Sequence, residues 1–352
     1  MLTSDWLIHR DNAINWILNA QSATPDGGVS AYYHIDKGYC RTSYPEVTGY
    51  IVPTFFDAAA LTGEAQYRDA AIEMMDWVTS VQLDTGAATS MDFSTPYVFD
   101  TGQDILGWVR AYEETHNGIY LDVAIKAGDW LTSVQRPDGW FPTTAYSNDT
   151  HTYHSRVAWA LLRLSEVSQR SSYRDVAIRN LNWGLCRQRE NGWFDIGAND
   201  EMTHFIAYSG RGILESGMLL EEERYLESAR RLADALLELQ LENGMLYGRY
   251  DPHWAHTVNW CCVTGDLQVA IIWLRLYRIT GDEVYRRAAE SAIEHATLTQ
   301  NIESSEKGIR GGIPGSKPID GGYCPNHYLS WATKFYIDAI HLTLAPSFVL
   351  TG

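Results

Sequence analysis

The stretch YRDAAIEMMDWVTSVQ, residues 67–82, decides the fold, because similar stretches recur along the whole chain. Each begins at an aromatic residue and reaches a glutamine fifteen positions later. The six pairs are Trp6 and Gln21, Tyr67 and Gln82, Tyr120 and Gln135, Tyr173 and Gln188, Tyr225 and Gln240, and Tyr285 and Gln300. Apolar residues keep helical spacing between the members of a pair, so each stretch predicts one amphipathic helix.

A second and more apolar helical segment follows each stretch, as in residues 155–169 and 264–281. Long loops rich in Gly, Pro, Trp, Tyr, His and Asp lead into these second helices, whereas short links lead out of them. The sequence therefore predicts an all-α (α/α)6 toroid of six helical hairpins, a single domain over residues 1–352. We expect the apolar helices inside, the charged helices outside, and the active site among the long loops.

Composition excludes several classes of function. The 352 residues carry a net charge of −17, which repels nucleic acid and anionic membrane surfaces. The N-terminal stretch is charged and polar, and no run approaches 18 apolar residues, so we expect a cytoplasmic protein that does not insert into membranes. Five cysteines, an odd number, fit reduced thiols better than a disulfide framework. The sequence leaves the oligomeric state open.

Candidate functional residues stand at or near the predicted starts of the inner helices. Those with catalytic chemistry are Glu46, Asp100, Tyr153, His154, His204, Asp266, Asn326 and His327. Those expected to bind substrate are Tyr44, Gln103, Trp140, Arg156, Trp193, Tyr208, Arg211, Tyr250, Trp254, Tyr328 and Lys334. Structural alternatives exist: acids cap helices, tryptophans pack in turns, and long cations lie at rims. Acids, histidines, amides and aromatic rings together suit a carbohydrate ligand.

Three interpretations of these residues stay open. The first is glycoside hydrolysis by the pair Asp100 and Glu46, with Asp266 in reserve. The second is β-elimination or C5 epimerisation of a uronic acid, in which a Tyr or His removes the C5 proton and Asn, His or Arg neutralises the carboxylate. The third is a glycan-binding toroid without catalysis. Hydrolysis is the first choice, and we expect no cofactor.

Several segments resemble known families. The segment KAGDWLTSVQRPDGW (126–140) resembles the QW repeat of squalene and hopene cyclases, whose acidic Asp-x-Asp-Asp motif is absent here. The whole arrangement resembles the six-hairpin glycosidase-like superfamily of hydrolases, lyases and epimerases. SYPEVTGY, VFDTGQ and WCCVTGD are similar to toroid proteins found with bacterial exopolysaccharide genes. These resemblances imply a bacterial oligosaccharide or polysaccharide substrate.

Two further resemblances concern individual site residues. PNHYLSWA (325–332) resembles the Asn-Asn-His segment of toroidal alginate lyases, which implies roles for Asn326 and His327 in elimination. The residues WCCVTGD and YCPN resemble parts of the zinc-thiolate β-L-arabinofuranosidases. That likeness implies zinc bound by Cys261, Cys262 and Cys324, whereas burial as inert thiols is the alternative that we favour.

Overall fold

The computed structural model describes residues 3–195 and 201–345. Within these residues twelve α-helices alternate between an outer and an inner ring. The outer helices are α1 (Thr3–Ser22), α3 (Ala65–Ser80), α5 (Gly118–Val134), α7 (Ser171–Leu185), α9 (Glu223–Leu239) and α11 (Glu283–Thr297). The inner helices are α2 (Pro45–Thr62), α4 (Val98–Thr115), α6 (Ser155–Ser168), α8 (Thr203–Leu220), α10 (Val263–Thr280) and α12 (Ser330–Leu344). The predicted (α/α)6 toroid is confirmed.

Burial separates the two rings in the way that the apolar pattern predicts. Residues 45–58 of α2 are all buried, because an inner helix has protein on every side. Helix α9 instead buries one stripe, formed by Tyr225, Ala229, Leu232 and Leu236 at helical spacing. None of the helices within the described residues is long and apolar enough to cross a membrane.

Each inner helix packs against the next inner helix, and α12 packs against α2 to close the inner ring. Each inner helix also packs against the outer helix that follows it, as α2 does against α3. Helix α12 has no following outer helix within the described residues, and α1 packs against it instead. The first and last helices of the fold are therefore neighbours.

The repeated glutamine has a specific structural task. Gln135 Nε2 donates to the carbonyl of Gly139 in its own turn, at 3.1 Å, and to the carbonyl of Val176 on the next outer helix, at 2.8 Å. The other five glutamines make the same pair of bonds. In the last repeat, Gln300 Nε2 donates to the carbonyls of Gly311 and His9, which ties the last outer helix to the first.

Short strands organise the long loops at the end where the inner helices begin. Strands β1 (Tyr32–His34), β2 (Tyr39–Cys40) and β5 (His327–Leu329) form an antiparallel sheet in the order β2-β1-β5. Strand β3 (Cys261–Cys262) pairs with β4 (Ser316–Lys317), and a 3-10 turn at Thr152–His154 precedes α6. These contacts join loops from different repeats into one rim.

Two glycines bring α2 and α4 unusually close together. A Cβ atom on Gly49 would overlap the Asp104 carboxyl group, and one on Gly107 would overlap the Gly49 carbonyl. Because neither atom is present, the first turns of α2 and α4 lie side by side. Those turns carry Glu46 and Asp100.

Candidate active site

A cavity of about 370 Å³ opens at the end of the ring where the inner helices begin. This volume lies within the range of about 300–1,000 Å³ that is typical of ligand pockets. The lining residues are Tyr44, Glu46, Tyr50, Ser90, Tyr97, Phe99, Asp100, Thr143, Tyr153, His204, Phe205, Tyr208, Tyr323 and Trp331. Five repeats supply them, and the described part of the fifth repeat supplies none, whereas the sequence predicts a contribution from all six.

Two carboxyl groups share one wall of the cavity. Glu46 lies in the first turn of α2 and Asp100 in the first turn of α4, and both are more than nine-tenths buried. The hydroxyl group of Tyr44 donates to Asp100 Oδ2 at 3.4 Å and also reaches the carboxyl group of Glu46, whose pKa it lowers. One phenol therefore bridges both acids.

Burial sets the protonation of this pair. Desolvation raises the pKa of Glu46 well above its usual range, and the negative charge of Asp100 raises it further. Desolvation also raises the pKa of Asp100, to about 7, while the hydrogen bond from Tyr44 acts in the opposite direction. Once Asp100 is ionised, its negative charge therefore favours the protonated form of Glu46. Such a pair supplies one acid and one base.

His204 enters the cavity from the start of α8. Its Nδ1 atom lies 2.5 Å from the side-chain Nε2 of Gln268 on α10. Because an amide N–H donates, Nδ1 accepts and the hydrogen of the neutral ring is on Nε2. Burial, assisted by the positive charge of Arg156, lowers the pKa of His204 to about 3. The ring is therefore neutral across the physiological range.

A buried cation lies under the cavity floor. Arg156 Nε donates to Gln103 Oε1 at 2.8 Å, and the guanidinium carbon lies 5.0 Å from the centre of the Tyr208 ring. Among the described residues, Nη1 and Nη2 of Arg156 have no hydrogen-bond partner. The charge of Arg156 favours the ionised form of Glu46 and so opposes the effect of burial on that group.

A third acid lies one helical turn below the pair. Asp104 is 1% exposed, and its Oδ1 atom has no hydrogen-bond partner among the described residues. Burial raises the pKa of Asp104 well above its usual range, and the charges of Asp100 and Glu46 add to this effect. The surroundings of Asp104 therefore favour its protonated form.

Aromatic rings form much of the remaining wall. The ring of Phe99 lies edge-on to Tyr153, with 5.2 Å between centroids, and Tyr153 stacks on Phe205 at 5.5 Å. Tyr208 lies 4.9 Å from Phe99 and 4.5 Å from the His204 ring. Rings held in this way present fixed faces on which a pyranose can stack.

Six of the residues predicted from the sequence meet in this cavity, and others lie elsewhere. The six are Tyr44, Glu46, Asp100, Tyr153, His204 and Tyr208. Gln103 and Arg156 lie just below its floor. His154 is fully buried behind the wall, where its ring is edge-on to Phe141.

Arg211 and Lys334 lie deeper in the ring than a substrate-binding role would require. Arg211 pairs with Glu215 at 2.6 Å, and Lys334 pairs with Asp338 at 2.6 Å. Both cations are almost completely buried. The carboxylate that neutralises each of them lies one turn further along the same inner helix, so the buried charge is balanced. Neither residue lines the cavity or its rim.

The three predicted tryptophans pack in outer turns instead of lining the cavity. The guanidinium group of Arg136 lies over the Trp140 ring, 5.4 Å from its centre. Trp193 packs edge-on against Trp254 at 5.0 Å, and Trp254 Nε1 donates to the carbonyl of Asn191. Turn packing, the structural alternative for Trp140 and Trp193, is what the geometry supports.

The residues of the last loop lie on the β2-β1-β5 sheet. Asn326 Nδ2 donates to Asp36 Oδ2 at 3.0 Å, and the His327 ring packs against Tyr32 at 4.4 Å. Tyr328 is opposite Tyr33 in the β1–β5 pairing. None of these three candidates lines the cavity.

Asp266 and the cysteines lie away from the cavity as well. The Cys261 thiol donates to Asp266 Oδ2 at 3.0 Å, and Tyr250 is buried close by, its hydroxyl accepting the Tyr247 N–H. The sulfur atoms of Cys261, Cys262 and Cys324 do not form a cluster within 4.8 Å in the described structure. Successive strand residues face opposite ways, which separates Cys261 from Cys262.

Eight lining residues were not among the catalytic and substrate-binding candidates. They are Tyr50, Ser90, Tyr97, Phe99, Thr143, Phe205, Tyr323 and Trp331. Tyr97 and Phe99 precede Asp100 closely in the sequence, and Phe205 follows His204. Their nearness in sequence to predicted residues is the signal that could have identified them. Trp331 Nε1, in the first turn of α12, donates to the hydroxyl of Tyr323 in the preceding loop at 2.9 Å, a contact that no sequence pattern indicates.

Comparison with solved structures identifies the fold. An unsaturated glucuronyl hydrolase specific for heparin superposes with a TM-score of 0.79 at 13% identity, over 99% of each chain. The unsaturated glucuronyl hydrolase of Bacillus sp. GL1 gives 0.76 at 16% identity, over 99% of this chain and 98% of that one. This chain therefore has the same (α/α)6 toroid fold as these two proteins. A sugar epimerase from a ruminal bacterium has the same six-hairpin fold, with a TM-score of 0.80 at 11% identity, over 99% of this chain and 100% of that one.

At the level of sequence, no protein-family model and no curated protein matches the chain. The six-hairpin likeness therefore rests on three-dimensional structure, and it covers both hydrolases and epimerases.

Proposed function

We propose that this six-hairpin protein is a carbohydrate-active enzyme, a glycoside hydrolase in which Glu46 and Asp100 act on the bond that is cleaved. The observation that carries the proposal is the bridging of these two buried acids by Tyr44, at 3.4 Å from Asp100, within one cavity. Burial raises the pKa of both acids, and the charge of ionised Asp100 favours protonated Glu46, so the pair can supply one acid and one base. The fold of two glucuronyl hydrolases supports the assignment.

The two acids have different roles in this mechanism. Glu46, which holds its proton more strongly, donates it to the leaving glycosidic oxygen. Asp100, which carries the negative charge of the pair, activates a water molecule or attacks the anomeric carbon directly. Tyr44 donates to the acid that carries the negative charge and so stabilises it as the charge passes between them.

The size of the cavity favours a saccharide of which only a short terminal portion is bound. A volume of about 370 Å³ accommodates a short end of a chain more readily than the middle of a polymer. Stacking faces on Tyr153, Phe205 and Tyr208 and the Nε2–H of His204 supply apolar and polar contacts to the sugar. We propose a bacterial oligosaccharide, derived from an exopolysaccharide and processed in the cytoplasm, as the substrate.

A substrate panel with isosteric variants tests the hydrolase. The panel contains unsaturated glucuronyl disaccharides, neutral β-linked disaccharides and nitrophenyl glycosides, and released reducing ends are measured. Glu46→Gln and Asp100→Asn should each lower kcat by about 10²- to 10⁴-fold on the substrate that wild type cleaves. The exposed Glu64→Gln serves as control and should leave kcat unchanged. Full activity in Glu46→Gln would refute the assignment.

Epimerisation or elimination is the second candidate, because a neutral histidine stands in the same cavity. In this alternative the Gln268 amide is turned so that its oxygen accepts from Nδ1–H of His204, which leaves Nε2 without a hydrogen and able to take a C–H proton. The sugar epimerase of the same fold supports this alternative. Solvent deuterium in recovered sugar would identify epimerisation, and new ultraviolet absorbance of an unsaturated uronate would identify elimination. Binding of a saccharide without any product would identify a glycan-binding protein.

A further inference from the structure

Three potential metal ligands converge behind the cavity, in a place that the proposed function does not use. Cys261 lies on β3, Asp266 in the first turn of α10, and His295 near the end of α11. One ligand atom from each residue lies within 4.8 Å of the other two, and all three side chains are buried. Cys261 Sγ is 3.0 Å from Asp266 Oδ2, which is 3.4 Å from His295 Nδ1.

We propose that Cys261, Asp266 and His295 bind a zinc ion. In tetrahedral zinc sites the metal lies about 2.3 Å from sulfur and about 2.0 Å from nitrogen or oxygen, so neighbouring ligand atoms are about 3.3–3.5 Å apart. The observed separations of 3.0 and 3.4 Å are close to these edges. The ligand atoms of Cys261 and His295 lie within 4.8 Å of each other, so a side-chain adjustment brings all three ligands around one metal.

The chemistry of the set also favours zinc. A cysteine thiolate and an aspartate carboxylate balance the two charges of the cation, and a neutral imidazole adds none, so the buried site is electrically neutral. Sulfur and imidazole ligands select zinc over magnesium or calcium, which prefer oxygen. A water molecule completes four-coordination.

Two further observations agree with a metal position. The Leu246 N–H donates to Asp266 Oδ2 at 3.3 Å, which fixes the orientation of the carboxylate as outer-sphere hydrogen bonds do in metal sites. His295 Nδ1 is buried and has no hydrogen-bond partner among the described residues. Buried polar atoms without partners are rare, and a bound cation accounts for this one.

The site is structural, because it lies outside the cavity and connects three elements of one hairpin. It fastens the start of α10 to the end of α11 and to β3. Gln268, which bonds to His204, follows Asp266 on α10. Zinc therefore stabilises the part of the wall that holds His204 without taking part in the reaction.

Metal analysis of the full-length protein tests the site without any activity assay. Protein expressed with zinc in the medium should contain a single zinc ion per chain, and X-ray absorption should detect sulfur in its coordination shell. Cobalt substitution should give a thiolate-to-cobalt charge-transfer band. Chelation should lower Tm, and added zinc should restore it.

Single-residue variants locate the site. Cys261→Ser and His295→Asn should weaken zinc binding at least tenfold, whereas Cys186→Ser, which alters an exposed thiol, should bind zinc like wild type. Zinc binding that is no tighter in wild type than in His295→Asn, or a coordination shell without sulfur, overturns the proposal. If a variant does not fold, X-ray absorption of the wild-type protein still tests the proposal, because it shows whether sulfur binds the metal. None of these results depends on whether the protein hydrolyses a glycoside.

Discussion

The hydroxyl group of Tyr44 lies 3.4 Å from Asp100 Oδ2 and also reaches Glu46. A phenol has one proton to donate, so it stabilises whichever acid is ionised. The hydrogen bond lowers the pKa of Asp100 against the larger effect of burial, which raises it. The titration of the two acids is therefore coupled through a single side chain.

The pH dependence of hydrolysis should reveal this coupling. The rate should rise with pH as Asp100 ionises, around its pKa of about 7, and should fall at higher pH when Glu46 loses its proton. Tyr44→Phe removes the bond that favours ionised Asp100, so the rising limb should move to higher pH. Profiles of kcat/KM for both proteins measure the shift. The exposed Tyr146→Phe should not move the limb, and an unmoved limb in Tyr44→Phe would contradict the bridging role.

His204→Gln should distinguish binding from proton abstraction. A glutamine amide can place an N–H donor near the position of His204 Nε2, but it cannot act as a base. In the hydrolase that we propose, kcat/KM should fall less than about tenfold, which corresponds to the loss of about one hydrogen bond. A loss of about 10²- to 10⁴-fold, with wild-type Tm, would instead assign proton transfer to His204.

Asp104→Asn should stabilise the protein, and more so at high pH. The pKa of Asp104 is raised in the folded state, so wild type loses stability as pH rises from the unfolded pKa toward the folded one. This loss is about 1.4 kcal/mol per pH unit within that window, and asparagine abolishes it. Tm measured at pH 5 and pH 8 should show the larger gain at pH 8. The surface variant Asp138→Asn provides the comparison, and an equal gain at both pH values would count against a protonated Asp104.

Gln300→Ala should weaken the closure of the ring. The substitution removes the hydrogen bonds to the carbonyls of Gly311 and His9 and leaves buried acceptors without partners. We expect the free energy of unfolding to fall by about 1–3 kcal/mol in urea titrations. Gln66→Ala, at an exposed position of α3, should change it by less than about 0.5 kcal/mol. Equal effects of the two variants would show that the repeated glutamine is dispensable.

Much of the fold could be predicted from the sequence, because the repeated glutamine makes the same pair of hydrogen bonds in every repeat. Each glutamine must reach a turn and the next outer helix, so its distance from the helix start cannot vary. Glu46, Asp100 and His204 were predictable for a related reason: each occupies the first turn of an inner helix, whose position the repeat determines.

The loops were harder to predict, because helical periodicity does not determine how a loop turns. Asn326 and His327 precede an inner helix in sequence, yet β5 pairs with β1 and neither residue lines the cavity. Trp140 follows a glutamine turn and packs beneath Arg136. Tyr323 enters the cavity through a loop conformation that depends on distant residues.

The packing of α1 against α12 has a consequence for unfolding. In an open repeat protein the terminal units have one neighbour each, and they fray first. Here the unit formed by the two ends of the chain has neighbours on both sides, like every other unit. Hydrogen exchange should therefore report similar protection around the circle, and loss of any one interface should release all the others in a single cooperative transition.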